Sequence, residues 1–305
     1  MQKFLFVLAT LFCSAAPSFS SDWPGERVHS ELSPRGKFLY GNSPGVFRFS
    51  SFRRVSSERI FRFSRDEKWA FALGKSEITA ISTRDWKTRK RFIIPHKIWN
   101  NGAYSNQLLA VTLAPSQHVL HVLTTDFLLD FDFKTTNLRR QILVGSGEGT
   151  AYASVSADLS PDAKRGAYAK GTRAKIYRVS DGKTLVSWES RDKTGGASEA
   201  EFLRFSPDSA TILEAETETL TLRVRNLRDG KILWQKPHGG LIGWSPNGKY
   251  ILTHQSSKIE IRAAKTGVFL RSLAAPQKKF SGAFLTDDLK IGVKTPSGWR
   301  VVQTR

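Results

Sequence analysis

One short turn is written seven times along this chain, and that repetition restricts the fold more than any bulk property. The copies are Leu32-Ser33-Pro34-Arg35-Gly36, Phe63-Ser64-Arg65-Asp66-Glu67, Leu113-Ala114-Pro115-Ser116-Gln117, Leu159-Ser160-Pro161-Asp162-Ala163, Phe205-Ser206-Pro207-Asp208-Ser209, Trp244-Ser245-Pro246-Asn247-Gly248 and a decayed Phe284-Leu285-Thr286-Asp287-Asp288. The chemistry is constant. An apolar residue ends a strand, Ser and Pro enter the turn with Pro fixing φ, and Asp, Asn or Gly accept its awkward dihedrals. An apolar strand follows, such as Phe38-Leu39-Tyr40 or Tyr250-Ile251-Leu252.

A second turn keeps step with the first. It reads Arg84-Asp85-Trp86-Lys87, Lys134-Thr135-Thr136-Asn137, Ser180-Asp181-Gly182-Lys183, Arg228-Asp229-Gly230-Lys231 and Lys265-Thr266-Gly267. Asp-Gly between strands is a strong hairpin signal. The segments between turns alternate with period two, as in Leu220-Thr221-Leu222-Arg223-Val224-Arg225 and Ile259-Glu260-Ile261-Arg262. No amphipathic helix stands out after the first twenty residues. Each unit therefore reads strand, Ser-Pro-Asp turn, strand, loop, strand, Asp-Gly turn, strand, which is one four-stranded blade. The expected fold is all-β: a β-propeller of seven blades of mostly four antiparallel strands, with six blades as the alternative.

These repeats resemble WD40-type propeller blades over essentially the whole chain after the leader. The Trp-Asp pair that names that family is absent, and His238-Gly239 reverses its Gly-His partner, so the likeness is to divergent, WD40-like propellers of exported bacterial proteins. Asn226-Leu227-Arg228-Asp229-Gly230-Lys231-Ile232-Leu233-Trp234 also resembles the blade motif of quinoprotein propellers, with Trp188 after Asp181-Gly182-Lys183 as a poorer copy. Closure is tight at both ends. Val46–Phe49 and Phe52–Val55 are expected as the third and fourth strands of the first blade. Trp299–Gln303 makes a third strand in the last blade. That blade is either three-stranded or borrows a strand from residues just after the leader.

Residues 1–20 read as a signal peptide: a positive Met1-Gln2-Lys3, an apolar Phe4 to Ala16, and small Ser18 and Ser20 before the cleavage point. Residues 21–305 then form one propeller domain, exported to the periplasm or the extracellular space, with no transmembrane helix. The only cysteine, Cys13, lies in the leader, and bulky Phe12 argues against lipoprotein processing there. The mature chain then has no thiol, which removes disulfides, thiolate zinc sites and cysteine nucleophiles.

Among the six histidines, His118 and His121 sit an odd number of positions apart on a strand, so they face opposite ways and do not share a metal. Each histidine reads as structural, and no metal or cofactor is expected. Asp130 and Asp132 share a strand face, as do Glu214, Glu216 and Glu218. The glutamate stripe reads as a solvated strand end, with a cation or a basic partner as the alternative. Val144-Gly145-Ser146-Gly147-Glu148-Gly149 lacks the helix that an esterase elbow or a phosphate loop requires and reads as an inter-blade loop. The net charge of +20 is densest at Arg84, Trp86, Lys87, Arg89, Lys90 and Arg91. A lysine-rich outer strand protects a sheet edge from aggregation. The functional alternative is an anion-binding rim.

The expected function is a non-catalytic protein-interaction or scaffold module of the cell envelope. Its partners are other proteins, or an anionic envelope polymer bound at the rim; nucleic acid is not expected. The alternatives are a quinoprotein-like or lactonase-like enzyme using the central channel, and a polyanion-binding propeller. The feature that separates these readings is whether the channel gathers polar side chains or is plugged by apolar ones.

Overall fold

The computed structural model describes residues 30–41, 45–74, 76–95, 108–144, 155–189, 200–216, 221–237, 240–255, 258–274, 282–295 and 298–302. Residues 1–29, where a signal peptide is expected, the glycine string at 145–149, Glu218 and the histidines at 96 and 238 lie outside them.

Strand pairing groups the chain into seven consecutive meanders. Blade 1 is β1 (Ser30–Leu32), β2 (Phe38–Gly41), β3 (Val46–Arg48) and β4 (Arg53–Ser56); blade 2 is β5 (Ile60–Phe63), β6 (Trp69–Leu73), β7 (Glu77–Ser82) and β8 (Thr88–Ile93). Blade 3 is β9 (Leu108–Leu113), β10 (Val119–Thr124), β11 (Phe127–Asp132) and β12 (Leu138–Leu143); blade 4 is β13 (Val155–Leu159), β14 (Arg165–Lys170), β15 (Arg173–Arg178) and β16 (Thr184–Glu189). Blade 5 is β17 (Ala200–Phe205), β18 (Thr211–Glu216), β19 (Thr221–Asn226) and β20 (Ile232–Pro237); blade 6 is β21 (Gly240–Trp244), β22 (Tyr250–Gln255), β23 (Lys258–Ala263) and β24 (Phe269–Ala274). Blade 7 has three strands among the described residues, β25 (Gly282–Leu285), β26 (Ile291–Thr295) and β27 (Gly298–Val302). All pairings are antiparallel, and no helix occurs among the described residues.

A lone four-stranded sheet leaves both faces wet, so each blade is stable only against its neighbours. Six seams carry buried clusters. Phe71, Ile78 and Phe92 of blade 2 meet Val111, Leu129 and Phe131 of blade 3, and Ala167 and Ile176 of blade 4 meet Leu203 and Ile212 of blade 5. Each fully buried Leu, Ile or Phe contributes about 1.5–3 kcal/mol. The closing seam is different: Phe284 of blade 7 sets its ring edge-on to Phe49 of blade 1 at 5.4 Å and packs on Trp299.

Both turn families have a common backbone. In all seven Ser-Pro-Asp turns the fourth residue has positive φ: Gly36, Glu67, Gln117, Ala163, Ser209, Gly248 and Leu289. Its N–H donates back to the first residue's carbonyl, as Glu67 does to Ser64 at 2.9 Å. The turn serine works twice. Ser206 Oγ donates to Asp208 at 2.5 Å and accepts the Thr211 N–H at 3.0 Å, closing the hairpin.

In the Asp-Gly turns the positive-φ position is Gly182, Gly230 or Gly267, and also Trp86 and Thr136. Here glycine answers a second demand. A Cβ on Gly267 would stand 2.6 Å from the Trp234 ring of blade 5, and one on Gly230 would stand 2.5 Å from Val186 of blade 4. The outer strand of each blade thus seats on the next blade's turn. Trp234, singled out in the sequence, is buried there and donates from Nε1 to the Ala264 carbonyl at 2.7 Å.

Candidate functional site

The Ser-Pro-Asp turns join the innermost strand of each blade to its second strand, so all seven gather around one mouth of the central channel. Neighbouring turns are tied together. Glu67, left-handed in blade 2, reaches blade 1, where its Oε1 accepts the Ser33 hydroxyl and the Arg35 N–H. Gln117 Nε2 donates to Asp66 Oδ2 at 2.7 Å across the next seam. Asp162 N–H donates to Ser209 Oγ at 3.2 Å, and Asn247 N–H to Asp287 Oδ1 at 2.8 Å. A non-glycine residue at positive φ costs roughly 1 kcal/mol. At Glu67, Gln117 and Ser209 that cost is offset by a hydrogen bond between blades.

Two positions before the first turn residue, blades 1 to 5 carry Glu31, Arg62, Thr112, Asp158 and Arg204. Arg62 Nη2 meets Asp158 Oδ1 at 2.6 Å and Nη1 donates to the Leu159 carbonyl at 2.7 Å. Asp158 also accepts the Leu159 N–H at 2.9 Å and, through Oδ2, the Phe205 N–H at 2.8 Å. Arg204 pairs with Glu31, whose other oxygen accepts the Tyr40 hydroxyl at 3.0 Å. Blades 2 and 4 are separated by blade 3, and blades 1 and 5 are not neighbours, so both ion pairs bridge the channel. Burial and the Glu31 carboxylate push the Tyr40 hydroxyl far above its usual range, so it remains a neutral donor. Burial works against the Arg204 charge, but Glu31, Asp158 and Tyr40 outweigh it and hold the guanidinium charged.

Above this floor a funnel of about 550 Å³ opens among the turns, within the usual ~300–1,000 Å³ of ligand sites. Pro34, Pro115, Pro161, Pro207 and Pro246, from five blades, line it, with Trp244 and Phe63 among the apolar side chains around them. The channel therefore gathers polar side chains. Its floor is two acids matched to two arginines, and its wall is rigid and largely apolar. Arg35 and Arg65 stand exposed at the mouth, and their guanidinium groups make no hydrogen bond or ion pair with a described residue.

The basic rim lies elsewhere, on the outer edge of blade 2. Arg84, Lys87, Arg89 and Arg91 are exposed, and Lys90 is half-buried. Much of their charge is engaged within the fold. Arg89 pairs with Asp85, Arg91 approaches Glu77 at 3.7 Å, and Lys90 donates to the Lys134 carbonyl of blade 3 at 3.1 Å and stands over the Phe133 ring. Trp86 turns away from the rim. It fills the left-handed glycine position of the Asp-Gly turn and sets its indole edge-on to Phe38 of blade 1, with centroids 5.2 Å apart.

Other candidate groups resolve as structure. His121 is buried, with Nδ1 2.7 Å from Asp130, which also takes Arg140; His118 is at the surface. Among the described residues no three acidic, histidine or cysteine side chains form a metal-binding group. The glutamate stripe departs from expectation. Glu214 and Glu216 are fully buried rather than solvated. Glu214 takes Arg225 Nε at 2.5 Å and Trp188 Nε1 at 3.2 Å, and Glu216 takes Arg223. The reason is ring packing: blade 4 brings Trp188 over that face, and the Arg225 guanidinium lies 4.9 Å from its ring.

Sequence reasoning missed the channel floor. A signal exists, because the residue two before each turn becomes a comparable column once the seven turns are aligned, and that column holds two acids and two arginines. No family model and no curated protein matches this chain.

Proposed function

We propose that this protein is an exported, non-catalytic interaction module of divergent WD40-like type, which receives a segment of a partner protein in the funnel on its turn face. The observation that carries the reading is the funnel's division of labour. Its floor charges are committed to each other through paired, hydrogen-bonded contacts, so they hold shape rather than present a free base or nucleophile. Its wall is formed by cross-linked turns from six blades, so the mouth is pre-organised and a bound segment loses affinity to little reorganisation of the receptor. A concave, mainly apolar site with a few placed polar groups is what ligand recognition requires.

Site-specific photocrosslinking tests this in cells that export the protein. A photoreactive residue replaces Pro207 in the funnel, or Arg89 on the outer edge. The reading expects a discrete protein adduct from position 207 and none from 89. Adducts from position 89 alone would move the interface to the rim, and adducts from neither would remove the case for a protein partner.

A further inference from the structure

We propose that the segment received by the funnel is acidic, with a carboxylate side chain clamped between Arg35 and Arg65 and its chain running across the mouth toward blade 5. This rests on the reading of the funnel as a protein-binding site and adds the chemistry of what it binds.

Charge is left uncompensated at the mouth of the funnel. Four arginines line the funnel: Arg35, Arg62, Arg65 and Arg204. The two at the floor are neutralised by Asp158 and Glu31. The two at the mouth occupy the turns of consecutive blades, are exposed, and make no side-chain hydrogen bond or ion pair with a described residue. The carboxylates of the adjoining turn are committed elsewhere. Glu67 is buried in the seam and bound to Ser33 and to the Arg35 backbone, not to its guanidinium. Asp66 is held by Ser64 at 2.7 Å, by Gln117 at 2.7 Å and by the Lys68 N–H at 3.1 Å. Burial works to raise its carboxyl, but these hydrogen bonds and the Lys68 charge together outweigh it and hold the carboxyl below the usual range.

The opposite wall carries the opposite sign. In a ring of seven, blade 5 faces the seam between blades 1 and 2. Its turn residue Asp208 is exposed; among the described residues it accepts from Ser206 Oγ at 2.5 Å and the Ala210 N–H at 3.1 Å and pairs with no cation. The potential therefore falls from positive to negative across the mouth, over a rim of proline rings. An extended segment with an acidic residue at the Arg35–Arg65 wall, apolar residues over the prolines, and a donor or cation at Asp208 matches that field. Guanidinium groups suit the role because each offers a planar fork to a carboxylate. A free carboxylate would satisfy the two arginines but leave the apolar wall unused, which is why the occupant is assigned as a peptide.

The test is a randomised octapeptide display library panned against the immobilised full chain and against the Arg35→Glu/Arg65→Glu double variant. Both positions are exposed, and the Arg35 N–H that binds Glu67 is retained, so circular dichroism and thermal melting should match the parent. The expected result is enrichment of Asp or Glu at one position on the parent, inverted to Lys or Arg on the variant. Recovered acidic peptides, measured by fluorescence anisotropy, should lose at least about tenfold in affinity on the variant, the factor that one charge-assisted hydrogen bond carries. Millimolar glutarate should compete only weakly. Funnel-binding peptides without an acidic preference, or with one unchanged on the variant, overturn the proposal and leave the interaction reading intact. Glutarate displacing peptides at low concentration overturns it in favour of a small carboxylate. A library that yields no peptide competing for the funnel overturns both.

Discussion

The channel floor and the outer edge of blade 2 are both built from arginine–carboxylate pairs, and they show how little such pairs have in common. At the floor, Asp158 is buried and accepts from three blades: the Arg62 guanidinium, the Leu159 N–H and the Phe205 N–H, while Arg62 also donates to the Leu159 carbonyl. At the edge, Arg89 pairs with Asp85 within a single hairpin, and both side chains are well exposed. The first arrangement fixes blades 2, 4 and 5 relative to one another. The second does little more than keep the edge charged. A charge taken out of water must be fully satisfied, whereas one left in water has solvent as its partner. Burial, rather than pairing, decides what a pair does for the fold.

The largest expected effect comes from breaking the floor. Asp158→Ala leaves the Arg62 guanidinium without its anion and strips acceptors from two buried backbone donors. The expected loss is about 3–5 kcal/mol, read as a lower midpoint in urea unfolding, with the funnel's peptide affinity falling alongside. A loss below about 1 kcal/mol would mean that water already satisfies the floor.

Gly267→Ala comes next. The substitution places a side chain at φ 68° and drives its Cβ toward Trp234. Backbone strain and overpacking together cost about 2–3 kcal/mol. The equivalent change at Thr136, Thr136→Ala, should be much milder, because the position already carries a side chain. Comparing the two in urea separates the close approach of the blades from the dihedral alone.

These two sites also mark what the sequence makes legible. The blade count was readable because seven turns share one local chemistry, and local chemistry is what a linear pattern records. Glycine at the Asp-Gly turn was readable for the same reason, although its second cause, the approach of Trp234, was not. Arg62 and Asp158 were illegible as a pair because the contact exists only after the ring closes. Glu214 and Glu216 fall between these cases. Period two placed them on one face, but their burial depends on Trp188 from the preceding blade. The clue was Arg223 and Arg225, which repeat the same spacing on the next strand; Arg223 stands opposite Glu214 in the register, and the ion pairs to Glu216 and Glu214 run diagonally across the two strands.

A third, smaller effect belongs to a seam rather than to either region. Tyr168 and Tyr177 are buried between blades 3 and 4, and neither hydroxyl has a partner among the described residues. Tyr168→Phe should therefore leave stability at pH 7 unchanged or raise it by up to about 1 kcal/mol. Burial, aided by the Asp126 charge, pushes the Tyr168 hydroxyl up to about 12, against about 10 in an unfolded chain. The group is neutral in both states below pH ~10, so its contribution is intact there, and it is lost as pH rises through about 12. Tyr177 and Tyr40 are shifted in the same direction, so the parent should lose stability steeply in that window. Tyr168→Phe should soften that loss in part, seen as a shallower fall of the urea midpoint between pH 10 and 12.

The smallest effect returns to the edge. Arg89→Ala removes an exposed pair and should cost no more than about 0.5 kcal/mol, within the range of surface salt bridges, and 0.5 M NaCl should erase even that. The same variant should leave binding at the funnel untouched, because β8 lies at the outside of its blade and the turns lie at the axis. A loss of funnel binding in Arg89→Ala would join the two regions that the structure keeps apart. A loss of more than about 1 kcal/mol would show that the edge pair is held as firmly as the floor, and that burial is not what separates them.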